Sequence, residues 1–349
     1  MAHLCNNLFY YATKELSQDA FICWLCSFSL DEADKTDNEL VKCSQNLIST
    51  FLEKGTESHI EISEWQLSKV EKQVGNIDVL LTLDFKGVKY KVIIEDKTHT
   101  SEHDNQLERY KDQAKKDGSE AIGIYFKTGF QSDYAVVEKA GYKVFNRKDI
   151  LEVLNSCKSE NAILCAYREY WLNFENLAQS YKDSNLFEWP DWQTVNGFYE
   201  EMQGVIGETG SWAGYGYVSN PSGGFWGLWY GPNDCSIIWE NDFKVVLYLQ
   251  VETKWNYDSS RYEYRVCTKM EDQSNQKDNA RVLTIRDKVI ERQGDYNFER
   301  PTKLRWGAVM TIGEYKTDKD NPSYEEFRDV IIKAMEKYQL LLNAIRSEL

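Results

Sequence analysis

The sequence predicts an α/β protein, with helices flanking a mixed sheet in its first part and an α+β region at its C-terminus. Three observations lead there. Segments with apolar residues at helical spacing alternate with short β-rich runs up to about residue 178. Beyond that point the text turns to aromatic strands broken by Gly, Asn and Pro, closed by one long amphipathic helix. The chain of 349 residues is long enough for two ordinary domains, drawn here at 1–178 and 179–349.

The elements follow in order. In "ATKELSQDAFICWLCSFSL", Leu16, Ala20, Trp24 and Phe28 recur at helical spacing, with Ser17 or Thr13 as the cap. The acidic run "DEADKTDNE" at 31–39 reads as a loop or helix cap. "DNELVKCSQNLISTFLEKG" is a second amphipathic helix, which Gly55 is expected to end. "HIEISEWQL", "NIDVLLTLDF" and "VKYKVIIEDK" are β-rich, and "KG" at 86–87 joins the last two as a hairpin. A polar helix, "EHDNQLERYKDQAKKDG", precedes the apolar strand "AIGIYFKTG"; after a brief helix, "AGYKVFN" is another strand. The second half gives an aromatic helix at 185–207, several strands between 210 and 270, and a helix from residue 323 onward. No fixed-period repeat is present.

Bulk properties narrow the function. No apolar run approaches the ~18 residues of a membrane span, and the N-terminal text lacks the basic-then-apolar pattern of a signal peptide. Eight cysteines lie scattered, several inside apolar text, so a reduced cytoplasmic protein is expected. Net charge is −15 with a pI near 4.9. The acid excess is shared, about −8 up to residue 180 and about −7 beyond it. Such a balance opposes simple nucleic-acid binding, which draws its affinity from neutralised phosphates. A nucleic-acid role then needs a local basic groove or a partner that supplies grip.

One cluster stands out. The apolar strand "KVIIEDK" ends on Glu95, Asp96 and Lys97, and Asp78 heads the strand before it. Residues two apart share a strand face, so Glu95 and Lys97 project together and Asp96 points away. Counting outward from the Lys86–Gly87 turn puts Asp78 and Glu95 in cross-strand register. Two carboxylates that close repel, and one takes a proton unless a cation lies beside them. Either these groups form a structural ion network, or they seat a hard divalent ion, which needs only one or two carboxylates plus water and phosphate oxygens.

This pattern, Asp78 followed across a hairpin by Glu95-Asp96-Lys97, resembles the PD-(D/E)XK nuclease superfamily, with Ile77 in place of the proline. In "QLERY", Gln106 and Tyr110 are similar to the Q-x-x-x-Y element of its RecB-like branch, and the element order matches its restriction-endonuclease-like αβββαβ core. Glu15, in "ELSQDAFICWL", looks like the first-helix acid of several bacterial members. The resemblance covers about residues 10–150. It implies phosphodiester hydrolysis, DNA more than RNA, in a bacterial or phage defence setting. It further implies Mg²⁺ or Mn²⁺ held by Asp78, Glu95 and the Asp96 carbonyl, with Glu15 as a further ligand. Lys97 then orients water or stabilises charge, and Gln106 and Tyr110 line the substrate side. Glu64 and Glu71 either add a second-metal ligand or face solvent.

Blander readings stand beside these. Cys23 and Cys26 form a C-x-x-C with no second pair downstream, which favours core packing over zinc. His99 and His103 are expected on a solvated face. The aromatics around "GGFWGLWYG", with Trp212, Tyr215 and Tyr217, read as a sandwich core, with a base-stacking platform or a protein interface as alternatives. The rival to nuclease activity is a catalytically weak module of the same fold. It would bind nucleic acid, or dock a protein partner through its C-terminal domain.

Overall fold

A computed structural model of the chain describes residues 6–102, 105–220, 223–239, 243–273 and 279–348. It divides into two compact units, Met1–Glu175 and Asn176–Leu349.

The first unit runs α1 (Glu15–Ser27), α2 (Asn38–Thr56), β1 (Trp65–Val74), β2 (Ile77–Phe85) and β3 (Val88–Lys97). It continues through α3 (Gln106–Ala114), β4 (Glu120–Lys127), α4 (Ala135–Lys139), β5 (Tyr142–Asn146), α5 (Arg147–Ser156) and α6 (Ala162–Gln179), whose last residues belong to the second unit. The five strands form one mixed sheet in sequential order, antiparallel from β1 to β3 and parallel from β3 to β5. The αβββαβ order expected from the sequence is present.

Local chemistry explains most boundaries. Lys86 and Gly87 both hold positive φ, +54° and +79°, as a two-residue hairpin with right-handed strand twist requires. Asp37 caps α2 by accepting from the backbone N–H groups of Glu39 and Leu40, so the acidic run does end in a cap. Three boundaries differ from expectation. Neither Ser17 nor Thr13 caps α1, which starts after Lys14 without a side-chain cap. Gly55 lies within α2, and Glu57 in the left-handed region ends that helix. A Cβ on Gly55 would sit 2.3 Å from Cγ2 of Ile122, so the glycine serves close packing of α2 on β4. In "HIEISEWQL", residues 62–64 make a single 3₁₀ turn closed by a Glu61–Glu64 capping box, and the strand begins only at Trp65.

The two sheet faces bury different partners. Val92, Ile94, Ile124 and Phe126 face α2, where Phe51 meets Phe126 and Phe145 edge-on. The opposite face packs Ile93 and Tyr125 with Leu107 and Tyr110 of α3 and Val137 of α4. At ~25 cal/mol per Å² of buried apolar surface, each such side chain contributes about 1.5–3 kcal/mol.

The second unit contains α7 (Trp192–Glu208), β6 (Ser211–Val218), β7 (Phe225–Pro232), β8 (Ser236–Trp239), β9 (Phe243–Asn256) and β10 (Arg261–Asp272). It ends with α8 (Asn279–Arg292), β11 (Phe298–Glu299), β12 (Val309–Tyr315) and α9 (Tyr324–Ser347). Its antiparallel sheet has the order β11-β12-β10-β9-β7-β6, with β8 beside β9. The sandwich core expected for the aromatic stretch gives way here to helices: Trp226 stacks on Trp192 of α7, and Tyr230 is fully buried with its hydroxyl donating to Ile331 O of α9. Among the described residues no helix is long and apolar enough to cross a membrane.

Candidate active site

The β2–β3 ladder brings the sequence motif together. Val79 pairs with Ile94, so the next step of the ladder sets Asp78 opposite Glu95 on one face, with Lys97 two residues further along it. The Lys97 ammonium lies 2.5 Å from Glu95 Oε1 and 3.9 Å from Asp78 Oδ2. The backbone N–H of Asp96 donates to Asp78 Oδ2 at 3.0 Å, which fixes that carboxylate at the strand end. From α3, Gln106 donates through Nε2 both to Glu95 Oε1 and to the Tyr110 hydroxyl, each at 2.8 Å. Five residues singled out in the sequence thus come together: Glu95, Lys97, Gln106 and Tyr110 through hydrogen bonds, and Asp78 through its ion pair with Lys97.

Burial makes the group electrostatically tense. Glu95 is fully buried, and desolvation followed by the Asp78 charge pushes its pKa up to about 7. Desolvation likewise raises Asp78. Burial alone would lower the Lys97 amine, but Glu95, Asp78 and Glu15 together hold it above the ordinary lysine value. Glu95 Oε2 is buried with no hydrogen-bond partner.

The Asp96 side chain points to the other face, into a buried polar network. Its Oδ1 accepts from Gln18 Nε2 at 2.5 Å; that amide also reaches Thr128 Oγ1, and Tyr167 donates to Gln18 Oε1. Asp19, one helical position on, lies beside Asp96; burial and then the Asp78 charge push the Asp19 carboxyl up to about 6, and burial and then the Asp19 charge raise Asp96. Gln73, with a left-handed φ of +57°, ties this face to the first by donating to Asp19 Oδ2 and Asp78 Oδ1, both at 3.2 Å. Asp19, Gln18 and Gln73 escaped the sequence reading. Glu15 and Asp19 are four apart on one helix, and that spacing was the available signal.

Other candidates lie elsewhere. Glu15 Oε1 accepts from Thr98 N and Thr100 Oγ1, and these bonds outweigh its desolvation to lower its pKa. It pins the segment after β3, and its charge still reaches both Lys97 and Asp78. Glu64 caps its 3₁₀ turn and pairs with Lys86 at the far hairpin end, and Glu71 pairs with Lys69. Neither reaches the site. Cys26 is fully buried in α1 and Cys23 half-buried, as core packing requires. His99 is exposed, and His103 lies outside the described residues.

Among the described residues no three His, Cys, Asp or Glu side chains make a metal cage. The donor set nevertheless suits a hard divalent ion that keeps most of its waters: two convergent carboxylates, one with an orphaned oxygen, beside a strand-end carbonyl. Comparison with curated proteins and with solved structures finds no match. Residues 6–182 do match the family described as the PD-(D/E)XK nuclease superfamily, a span that holds every side chain of this cluster and more than half of the chain. With the strand order, the Asp–Glu–Lys geometry and that match in agreement, the chain belongs to the PD-(D/E)XK nuclease superfamily.

Proposed function

We propose that the protein hydrolyses phosphodiester bonds of DNA, using Mg²⁺ or Mn²⁺ bound by Asp78, Glu95 and the Asp96 carbonyl oxygen. The observation that carries this reading is the convergence of Asp78, Glu95 and Lys97 on one face, with Glu95 Oε2 buried and unpaired. When bound, the cation supplies Lewis acidity and a water of lowered pKa. The chain's own groups do the rest. Asp78 and Glu95 bring the negative charge that attracts the ion, and the Asp96 N–H holds Asp78 in place. Lys97 stays protonated and donates toward the charge that builds on the phosphate oxygens. Gln106 orients Glu95 and directs the Tyr110 hydroxyl at the substrate side. Glu15, from the start of α1, holds the 98–100 segment beside the site. A role in bacterial or phage defence follows only from the family and belongs to the same proposal.

The test incubates the protein with linear, circular and single-stranded DNA and with RNA, in Mg²⁺ and in Mn²⁺, alongside Asp78→Ala and Lys97→Ala. Cleavage of DNA lost in both variants supports the proposal. Retained binding without cleavage of any substrate overturns it in favour of a binding module.

A further inference from the structure

The second unit's sheet has two faces in unlike company. On one face, α7 places the Tyr199 hydroxyl 2.7 Å from Thr253 Oγ1, and Phe327 of α9 packs on Tyr264. The turn after α8 brings Gln293 against Gly313. Thr253 pairs with Tyr264, and the alternation of the ladder puts Gly313, opposite Thr268, on that same side. All three helices therefore cover one face. The other face carries Trp212, Trp229, Tyr248, Gln250, Glu252 and Lys269.

Two features of this second face point to a ligand. The first is a flat indole. A Cβ on Gly214 would lie 2.4 Å from Trp229 Nε1, and one on Gly216 would lie 3.4 Å from its Cη2. The ring is therefore laid along β6 over two glycines, and any side chain at 214 would lift it. Trp229 stays half-buried, with its inner side on backbone. Glycine inside a strand marks such close approach. Trp212 sits nearby, its ring 6.1 Å from that of Tyr248.

The second feature is charge. Every Lys and Arg borne by the strands of this sheet falls on this face: Lys244 and Lys254 in β9, and Arg261, Arg265 and Lys269 in β10. Five glutamates share it, at 252, 263, 271, 299 and 314. The strand charges on this face thus cancel, on a chain of net −15. Glu252, nearly buried, is held by Lys269 at 2.5 Å and by Arg265 at 2.6 Å, while the Arg265 side chain is 47% exposed. Flat aromatic rings beside cations grip unpaired bases and their phosphates with little sequence preference.

We propose that this face binds single-stranded nucleic acid, with Trp229 and Trp212 stacking on bases and the β9–β10 cations contacting the backbone. The ligand class rests on the nuclease reading, whereas the binding itself requires no cleavage. The test uses the full chain carrying Lys97→Ala, in EDTA, titrated with a labelled single-stranded oligonucleotide and with its duplex. Tryptophan fluorescence and anisotropy are both followed.

Tighter binding of the single strand, with quenching, is expected. Trp229→Ala should weaken it by about 5- to 150-fold, Trp229→Phe much less, and Gly214→Ala should act in the direction of Trp229→Ala. Thermal unfolding of each variant checks that the fold persists. Absence of single-strand binding, or equal affinity in folded Trp229→Ala, overturns the proposal and leaves the face to a protein partner. Loss of binding in Trp229→Ala alongside a wild type that cleaves nothing would sink the nuclease reading and keep this one.

Discussion

Raising a metal-free solution from about pH 5.5 to about pH 8.5 should strip a proton from Glu95 in its buried place, and the fold should weaken in consequence. The ordinary value for such a carboxyl is 4.5, and in the folded chain it stands at about 7. Between the two, the folded state keeps a proton that the unfolded state has released. Stability therefore falls as pH rises through that window, and the loss is complete above the folded value. Glu95 is fully buried, so solvent screens little of this cost. Over that pH range it amounts to about 2 kcal/mol, or roughly 4–8 °C in the unfolding temperature of a unit this size. Adding Mg²⁺ at ~100-fold over its dissociation constant should return about 2.7 kcal/mol at the higher pH. Differential scanning calorimetry of wild type and Glu95→Gln, with EDTA and with Mg²⁺, measures both effects. The reasoning fails if wild type and Glu95→Gln lose stability in parallel with pH. It fails equally if Mg²⁺ stabilises Glu95→Gln and Asp78→Asn as much as wild type.

Further expectations concern single residues. Lys97→Met should cut cleavage by about 100-fold or more while DNA affinity in Ca²⁺ changes little, because the amine acts on developing charge; gel-based single-turnover rates and filter binding separate the two. Gln18→Leu removes the donor to Asp96 and the acceptor for Tyr167, and should cost about 2–4 kcal/mol in chemical denaturation. Gly55→Val forces a side chain into Ile122 and should destabilise the first unit by about 1–3 kcal/mol, read from urea midpoints, with no change in KM of surviving protein.

The sequence was most legible where local chemistry decides structure. The Lys86–Gly87 pair predicts a tight hairpin, the hairpin sets the register, and the register aligns Asp78, Glu95 and Lys97. It was least legible where tertiary contact decides. Gly55 resembles a helix stop on propensity grounds, yet its missing side chain makes room for Ile122. The run around Ile60–Glu64 alternates like a strand, but the Glu61–Glu64 capping box closes it into a turn. Asp19 and Gln73 stand 54 residues apart and meet only once α1 crosses the strand ends. In α8, Val282, Ile285 and Val289 recur at helical spacing and are buried, so the sequence carries the signal of that helix as well.

The tight turn at Lys86–Gly87 has a practical consequence. Seven cross-strand pairs separate it from Asp78, a distance on the order of 24 Å along the strand. Nothing lies within 4 Å of where a Cβ on Gly87 would be. A fluorophore or a short peptide tag grafted at that tip, with the left-handed backbone preserved by Asn-Gly, should report on tumbling and complex formation without touching the chemistry at the opposite end.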